Sequence, residues 1–230
     1  MEIAGLYLAA YLLGAVPTAY LLGKLAKGID IRHYGSGNVG GGNVIRHVGR
    51  KWFVPQMISD TLVKGAGTIW FSVYVVGVDS HSPWVIGPPL LVLAGNNWSP
   101  FLKLQGGRGL GVAAGTLLAF SPAILAIALL TYFGGYLLSR EAGIWALVTL
   151  ISLPVLALVI PSGFKMADGT TLAWFCLGIL ALVILKRLSS NWGPLPRDLP
   201  RGKVFVNRLF RDRDVDDRNE WVQRVPEATN

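Results

Sequence analysis

The chain has 230 residues, of which 52% are hydrophobic and only 15% charged; a soluble domain carries about a quarter charged residues, so this one lacks the polar surface to cover itself in water. A formal charge of +8 and a pI near 9.8 would point a soluble protein to nucleic acid, but the bases gather in loops beside apolar runs and in the C-terminal tail, which favours membrane lipids and phosphorylated substrates and leaves no nucleic-acid partner. One cysteine, Cys176, lies in an apolar run, so a disulfide framework and a cysteine metal site are both excluded.

Seven apolar segments follow in chain order, at roughly 3–23, 52–78, 84–102, 108–120, 122–138, 142–160 and 171–187. The first has no basic n-region and a long apolar run, so it reads as a membrane helix rather than a signal peptide. A spanning helix needs about 20 apolar residues. The fourth and fifth segments, divided at Ser121-Pro122, are marginal by that measure, and five or six spans are the alternatives to seven. The expectation is an all-α, polytopic membrane helix bundle over residues 1–188, with seven transmembrane helices as the leading count. Residues 189–230 form a charged tail in which Pro194, Pro196 and Pro200 break regular structure. VFVNRLF there fits a short interfacial helix or strand, and the rest reads as solvated and partly disordered.

With the N-terminus outside, Lys24, Lys27, Arg32, Arg46, Arg50, Lys51, Lys103, Arg108, Arg140 and the tail all fall inside. The outer loops then hold only Lys165. This positive-inside asymmetry implies a multi-pass protein of the cell's inner (plasma) membrane with a cytoplasmic C-terminus and both glycine-rich loops on the cytoplasmic face.

The first of those loops reads GSGNVGGGNVIR, from Gly35 to Arg46. Glycines let successive backbone N–H groups turn toward one point and make an anion-binding concavity. Gly35 and Gly37 flank the Ser36 hydroxyl. Asn38 and Asn43 add amide donors, and Arg46 adds a planar fork suited to phosphate oxygens. No GK[ST] follows, so this is not a P-loop. A phosphate cradle and a plain turn between membrane helices both fit the pattern.

The second loop, FLKLQGGRGLG, places Lys103, Gly106, Gly107 and Arg108 at the start of a helix, where free N–H groups favour anions. Gly107, Gly111 and Gly115 recur every fourth residue, which also permits close helix packing. Arg108 fits either phosphate binding or snorkelling at the membrane boundary. Asp60 and Lys64 stand four apart and share a helix face. They fit a self-contained pair that supports the loops, and Lys64 also fits a ligand role. His33, three residues before Ser36, is a neutral-pH base close to the cradle. There is no G-x-S-x-G elbow and no clustered His/Asp/Glu set, so neither a serine nucleophile nor a metal is expected, and no cofactor is implied.

Together, YLLGAVPTAYLLGKLAKGIDIRHYGSGN, GGNVIRHVG, the Asp60/Lys64 region and FLKLQGGRG resemble the bacterial integral-membrane acyl-phosphate:glycerol-3-phosphate acyltransferases, the PlsY family, as a divergent member. The resemblance covers the first half of the chain well and the second half mainly in its hydrophobic layout. It implies transfer of a fatty acyl group from acyl phosphate to the 1-hydroxyl of sn-glycerol 3-phosphate, giving lysophosphatidic acid and phosphate in phospholipid synthesis. It also implies a seven-helix fold and a partner enzyme that supplies acyl phosphate. Carried over, Ser36, Arg46 and Arg108 are the catalytic candidates, and Asn38, Asn43 and Lys64 join them around phosphate. Acyl phosphate is already activated, so direct attack by the glycerol hydroxyl needs no protein nucleophile, and a substrate phosphate can assist proton removal.

The sequence departs from the family pattern at several places. Gly42 replaces a threonine, Asn96 a histidine, Arg108 a lysine and Val112 a threonine. The Asp60–Lys64 spacing is one residue longer, and LKRLSSNWGPLPRD lacks the family's histidine while offering Asn191. Asn96 remains a supporting candidate beside His33 and Asp60. Each loss removes a polar group, which keeps open a second reading as a non-catalytic or substrate-shifted relative that binds a phosphorylated lipid or metabolite. A small anion transporter is a third reading, but it would place polar groups at the bilayer midplane, and here they sit at the inner edge.

Overall fold

Pro17 splits the first apolar run. The structure, a computed structural model, describes residues 2–192, 196 and 199–225, with one helix at Glu2–Ala15 and a second at Thr18–Lys27. Proline fixes φ and lacks an N–H, so it enters a helix at its start more easily than in its interior. Among the described residues there is no β-strand.

Helix occupies all seven expected positions. Four of these stretches are long and apolar enough to cross a membrane: Ile3–Lys27, Pro122–Ser139, Ala142–Val159 and Gly169–Ser189. The fifth segment, marginal in the sequence, is one of them, because its helix runs to Ser139. Gly87–Asn97 and Leu110–Phe120 have 11 residues each, about 16 Å at 1.5 Å per residue, against a hydrocarbon core of about 30 Å. Residues 53–75 form one run of alternating α- and π-helical turns that carries Asp60 and Lys64.

The short 110–120 helix lies against residues 59–66 with almost nothing between the backbones. A Cβ on Gly115 would stand 1.9 Å from the Thr61 carbonyl oxygen, and one on Gly65 would meet the Gly115 Cα at 2.7 Å. Only small residues allow such an approach. It fixes the start of the 110–120 helix, and so the second glycine loop, relative to Asp60 and Lys64. Behind it Phe120 and Phe175 meet edge to face at 5.1 Å, with Cys176 and Ile179 fully buried beside them. Leu130, Leu138, Val155, Leu158 and Trp174 stay exposed on the outer surface, as lipid-facing residues of a bundle do.

The two ends of the bundle differ. At one end the segment 161–168 closes on the 120–121 corner: Ser121 Oγ donates to the Phe164 carbonyl at 2.7 Å, and the Met166 N–H to the Phe120 carbonyl at 2.8 Å. The basic loops and both glycine-rich stretches gather at the other.

Residues 201–225 depart from the solvated, disordered reading. They form helices at Arg201–Arg211 and Arg218–Gln223, so VFVNRLF is helical. Pro196 and Pro200 lie outside helices as expected, and Pro194 lies outside the described residues. The alternating charges that read as solvated are paired with each other and with the bundle. Arg208 makes a buried fork with Asp214 at 2.7 and 3.0 Å. Arg213 makes another with Glu141 at 2.9 and 3.0 Å.

Candidate active site

The first glycine loop is held in shape by its own side chains. Asn43, 2% exposed, donates through Nδ2 to the carbonyls of Tyr34 and Asn38 at 2.8 and 3.1 Å, and its Oδ1 accepts from Ser36 Oγ at 3.3 Å. The Asn38 N–H donates to Ser36 Oγ at 3.3 Å. Asn43, expected as a phosphate donor, therefore spends its amide on the loop and positions Ser36. Gly35 and Gly37 take left-handed conformations at φ 52° and 68°, which glycine adopts without strain.

A shared side-chain clamp joins the two loops. Asn191 donates through Nδ2 to the carbonyls of Gly37 and Gly106 at 3.0 and 3.2 Å and accepts the Gly106 N–H at 3.0 Å. The Val39 N–H also donates to Gly106 O at 3.2 Å. Farther out, Arg32 links Asp30 to Gln105. Loops separated by some 60 residues are thus locked edge to edge, and Asn191, a candidate only through the resemblance, is the residue that locks them.

Between them opens a recess of about 310 Å³, the size of a small-molecule site. Ser36, Asn38, Asn43, Arg46, Asp60, Asn96, Gly107 and Arg108 all line it. Arg108, 6% exposed, donates through Nε to Asp212 at 2.7 Å and through Nη1 to the Lys186 carbonyl at 3.3 Å. It is braced inside the protein rather than snorkelling to water. The first-turn N–H groups at Leu110 and Gly111, on the recess wall, have no intrahelical acceptor and suit an anion.

Other expected residues lie outside the recess or have their donors already engaged. Lys103 is exposed at a left-handed turn, φ 56°, and the Ser99–Gln105 turn carries it out of the recess. The Gly35 N–H donates to Arg224 O at 2.7 Å, the Gly106 N–H to Asn191, and the Gly107 N–H to Asn96 O at 2.9 Å. Those backbone donors are already engaged. Gly37 contributes its carbonyl to the Asn191 clamp. His33 is exposed and outside the recess wall. Lys64, 2% exposed, pairs with Asp60 at 2.9 Å and reaches Asn96 Oδ1 at 3.4 Å. It supports the wall from behind, as the self-contained-pair reading has it. Among the described residues no group of three His, Cys, Asp or Glu side chains could hold a metal.

Sequence reasoning missed Arg187, at the end of the Gly169–Ser189 helix, and Arg211, Asp212, Arg213, Arg218, Trp221 and Val222 from the tail, all on the recess wall. The LKR triplet closing the last apolar run was the one local signal for Arg187.

His47 ties the tail to the first loop, its Nε2 donating to the Val222 carbonyl at 3.2 Å. Burial holds its pKa below the ordinary 6.5; the Val222 bond opposes this, and the charges of Arg46 and Lys27 add to it. A histidine that protonates less readily in the docked form favours docking above about pH 6.5 and loses that contribution as pH falls through its lowered value. Residues 218–225 are therefore expected to loosen in mild acid. Amide exchange at Gly35, corrected for its intrinsic rate, should be faster at about pH 5.5 than at about pH 7.5, and His47→Gln should flatten the difference.

A family model described as Glycerol-3-phosphate acyltransferase matches residues 4–195. Glycerol-3-phosphate acyltransferase 4 of Dehalococcoides mccartyi (strain CBDB1) is 35% identical over 217 residues, covering 94% of this chain and 91% of its own. Glycerol-3-phosphate acyltransferase of Bacillus cereus (strain G9842) is 35% identical over 189 residues, covering 82% and 88%. The crystal structure of PlsY (YgiH), an integral membrane glycerol 3-phosphate acyltransferase, in its glycerol 3-phosphate form superposes with TM-score 0.71 at 29% identity, covering 81% of this chain and 88% of that one. The lysophosphatidic acid form gives 0.69 at 28%.

Proposed function

The chain belongs to the glycerol-3-phosphate acyltransferase family, and on that premise we propose how its recess performs the acyl transfer. It is a multi-pass membrane enzyme that acylates glycerol 3-phosphate in phospholipid synthesis. Acyl phosphate is the donor. The glycerol C1 hydroxyl attacks the acyl carbonyl carbon, the bond from that carbon to the phosphate oxygen breaks, and inorganic phosphate leaves with the electron pair. The hydroxyl proton passes to a phosphate oxygen of a substrate. Ser36 and Arg46 orient one phosphate, while Arg108, Leu110 N–H and Gly111 N–H stabilise charge on the other. Holding both substrates together and presenting fixed donors supply most of the acceleration. Tyr132 and Ala146 give the recess an apolar side along which the acyl chain passes to the lipid. The site faces the cytoplasm of the inner membrane, where an acyl-phosphate-supplying enzyme meets it.

The observation that carries this reading is the meeting of two distant glycine loops around one arginine-lined recess. The test is purified protein in detergent, given palmitoyl phosphate and glycerol 3-phosphate, with phosphate and lysophosphatidate both measured. Equal amounts of the two products are expected, and His33→Ala should keep more than half of the rate because His33 lies outside the recess. Folded protein that binds inorganic phosphate without turnover would instead make it a non-catalytic binder, and loss of activity in His33→Ala would overturn the base-free step.

A further inference from the structure

Residues 201–225 lie beyond the stretch matched by the family model, which ends at 195, yet six of them, between Arg211 and Val222, line the recess. Ion pairs within that segment and between it and the bundle take up several arginines. Asp212 takes Arg108, Asp214 takes Arg208, Asp216 takes Arg211 and Glu141 takes Arg213. Arg224 stacks on the Trp221 ring at 3.8 Å and donates to Gly35 O. Arg218 is left. It lines the recess, and among the described residues no acid pairs with it.

Two further arginines that line the recess share that condition among the described residues. Arg187 is 1% exposed; its Nη1 donates to the Leu209 carbonyl at 2.8 Å, and its Nε is buried with no hydrogen-bond partner. A buried, unpaired guanidinium N–H is costly to keep, and the Arg187 side chain that bears it lines the recess. Among the described residues Arg46 hydrogen-bonds to the Gly42 carbonyl of its own turn alone, at 3.2 Å. Arg46 is an exposed residue whose guanidinium is only partly desolvated; that, and then the nearby Arg218 charge, make its protonation less favourable than usual. Arg46 and Arg218 repel each other, and Arg187 adds a third positive charge to a wall whose Asp212 is already taken by Arg108, so an anion entering the recess relieves that repulsion.

We propose that the C-terminal segment is a working part of the active site and that Arg218, with Arg46 and Arg187, forms a subsite for a substrate phosphate. The chemistry recognised is a phosphate monoester or acyl phosphate dianion. Forked guanidinium donors suit its oxygens. Asp212 adds a positioning role: with Nε of Arg108 on Asp212 and one Nη1 N–H on the Lys186 carbonyl, the remaining outer N–H groups are left for the ligand. The naming of substrates rests on the acyltransferase reading above; the anion site does not.

The test keeps the full-length protein in detergent. Inorganic phosphate is titrated against wild type and Arg218→Gln by thermal stabilisation, with Arg218→Lys as the conservative variant. Arg218→Gln should unfold no lower than wild type without phosphate, since one repelling charge is gone, and need about tenfold more phosphate for the same stabilisation, the loss of one charge-assisted contact. Arg218→Lys should recover part of that loss. Steady-state kinetics then identify the source of the phosphate: a raised KM for glycerol 3-phosphate or for palmitoyl phosphate, at little-changed kcat, names the substrate held there. Phosphate affinity within twofold of wild type in Arg218→Gln overturns the subsite. Wild-type protein that binds phosphate through Arg218 but makes no lysophosphatidate would leave the subsite standing and remove the acyltransferase reading.

Discussion

Replacing Arg108 with alanine is expected to lower kcat/KM for glycerol 3-phosphate, at saturating palmitoyl phosphate, by about 100- to 1,000-fold. The side chain is braced before any ligand arrives. Asp212 holds Nε at 2.7 Å and the Lys186 carbonyl holds Nη1 at 3.3 Å. A guanidinium fixed on two sides loses little freedom when its remaining N–H groups meet phosphate, which is what makes a preorganised donor effective. Alanine removes the donor and also leaves the Asp212 carboxylate on the recess wall without its partner, facing the incoming anions. Arg108→Lys restores one point charge but cannot satisfy Asp212 and the Lys186 carbonyl together, so it should fall between, about tenfold below wild type. Phosphate release measured across glycerol 3-phosphate concentrations checks both. Arg108→Ala within fivefold of wild type would mean that the charge on the leaving phosphate is stabilised by another group.

The parts of this site that were legible in the sequence are those whose signal is local. The glycine run at 35–42 and the GGRG turn are visible because close backbone approach demands glycine wherever it occurs. The positions of the helices follow from apolar runs of membrane length, although the break at Ser121-Pro122 hides that one neighbour is 18 residues long and the other 11. What was not legible is pairing across the chain. Asp212 meets Arg108 from 104 residues away, and a stretch such as RDRDVDD looks the same whether its charges face water or one another. Asn43 reads as a free amide donor, yet both ends of that amide close the loop on itself. Lys103 reads as part of a cationic cluster until its left-handed turn sends it outward.

Lys64→Met is expected to cost about 3–5 kcal/mol of stability, a drop of very roughly 6–20 °C in Tm for a chain of this size. Lys64 and Asp60 are 2% and 9% exposed. Asp60 Oδ1 accepts Lys64 Nζ at 2.9 Å, and its Oδ2 accepts Gln56 Nε2 at 2.6 Å. Removing the ammonium strands a carboxylate inside the bundle with one amide for company, which is far worse than never burying the pair. The double variant Asp60→Leu/Lys64→Met should therefore recover most of the lost Tm, since both charges leave together. Activity should not recover with it. Lys64 also reaches Asn96, whose carbonyl holds the Gly107 N–H, so the second loop loses its brace in either variant and kcat should fall at least tenfold. Circular dichroism melts of the three proteins, run beside the phosphate-release assay, separate the roles. An unchanged Tm in Lys64→Met with a raised KM for a phosphorylated substrate would make Lys64 a ligand of that substrate, and the buried pair would then be incidental to the fold.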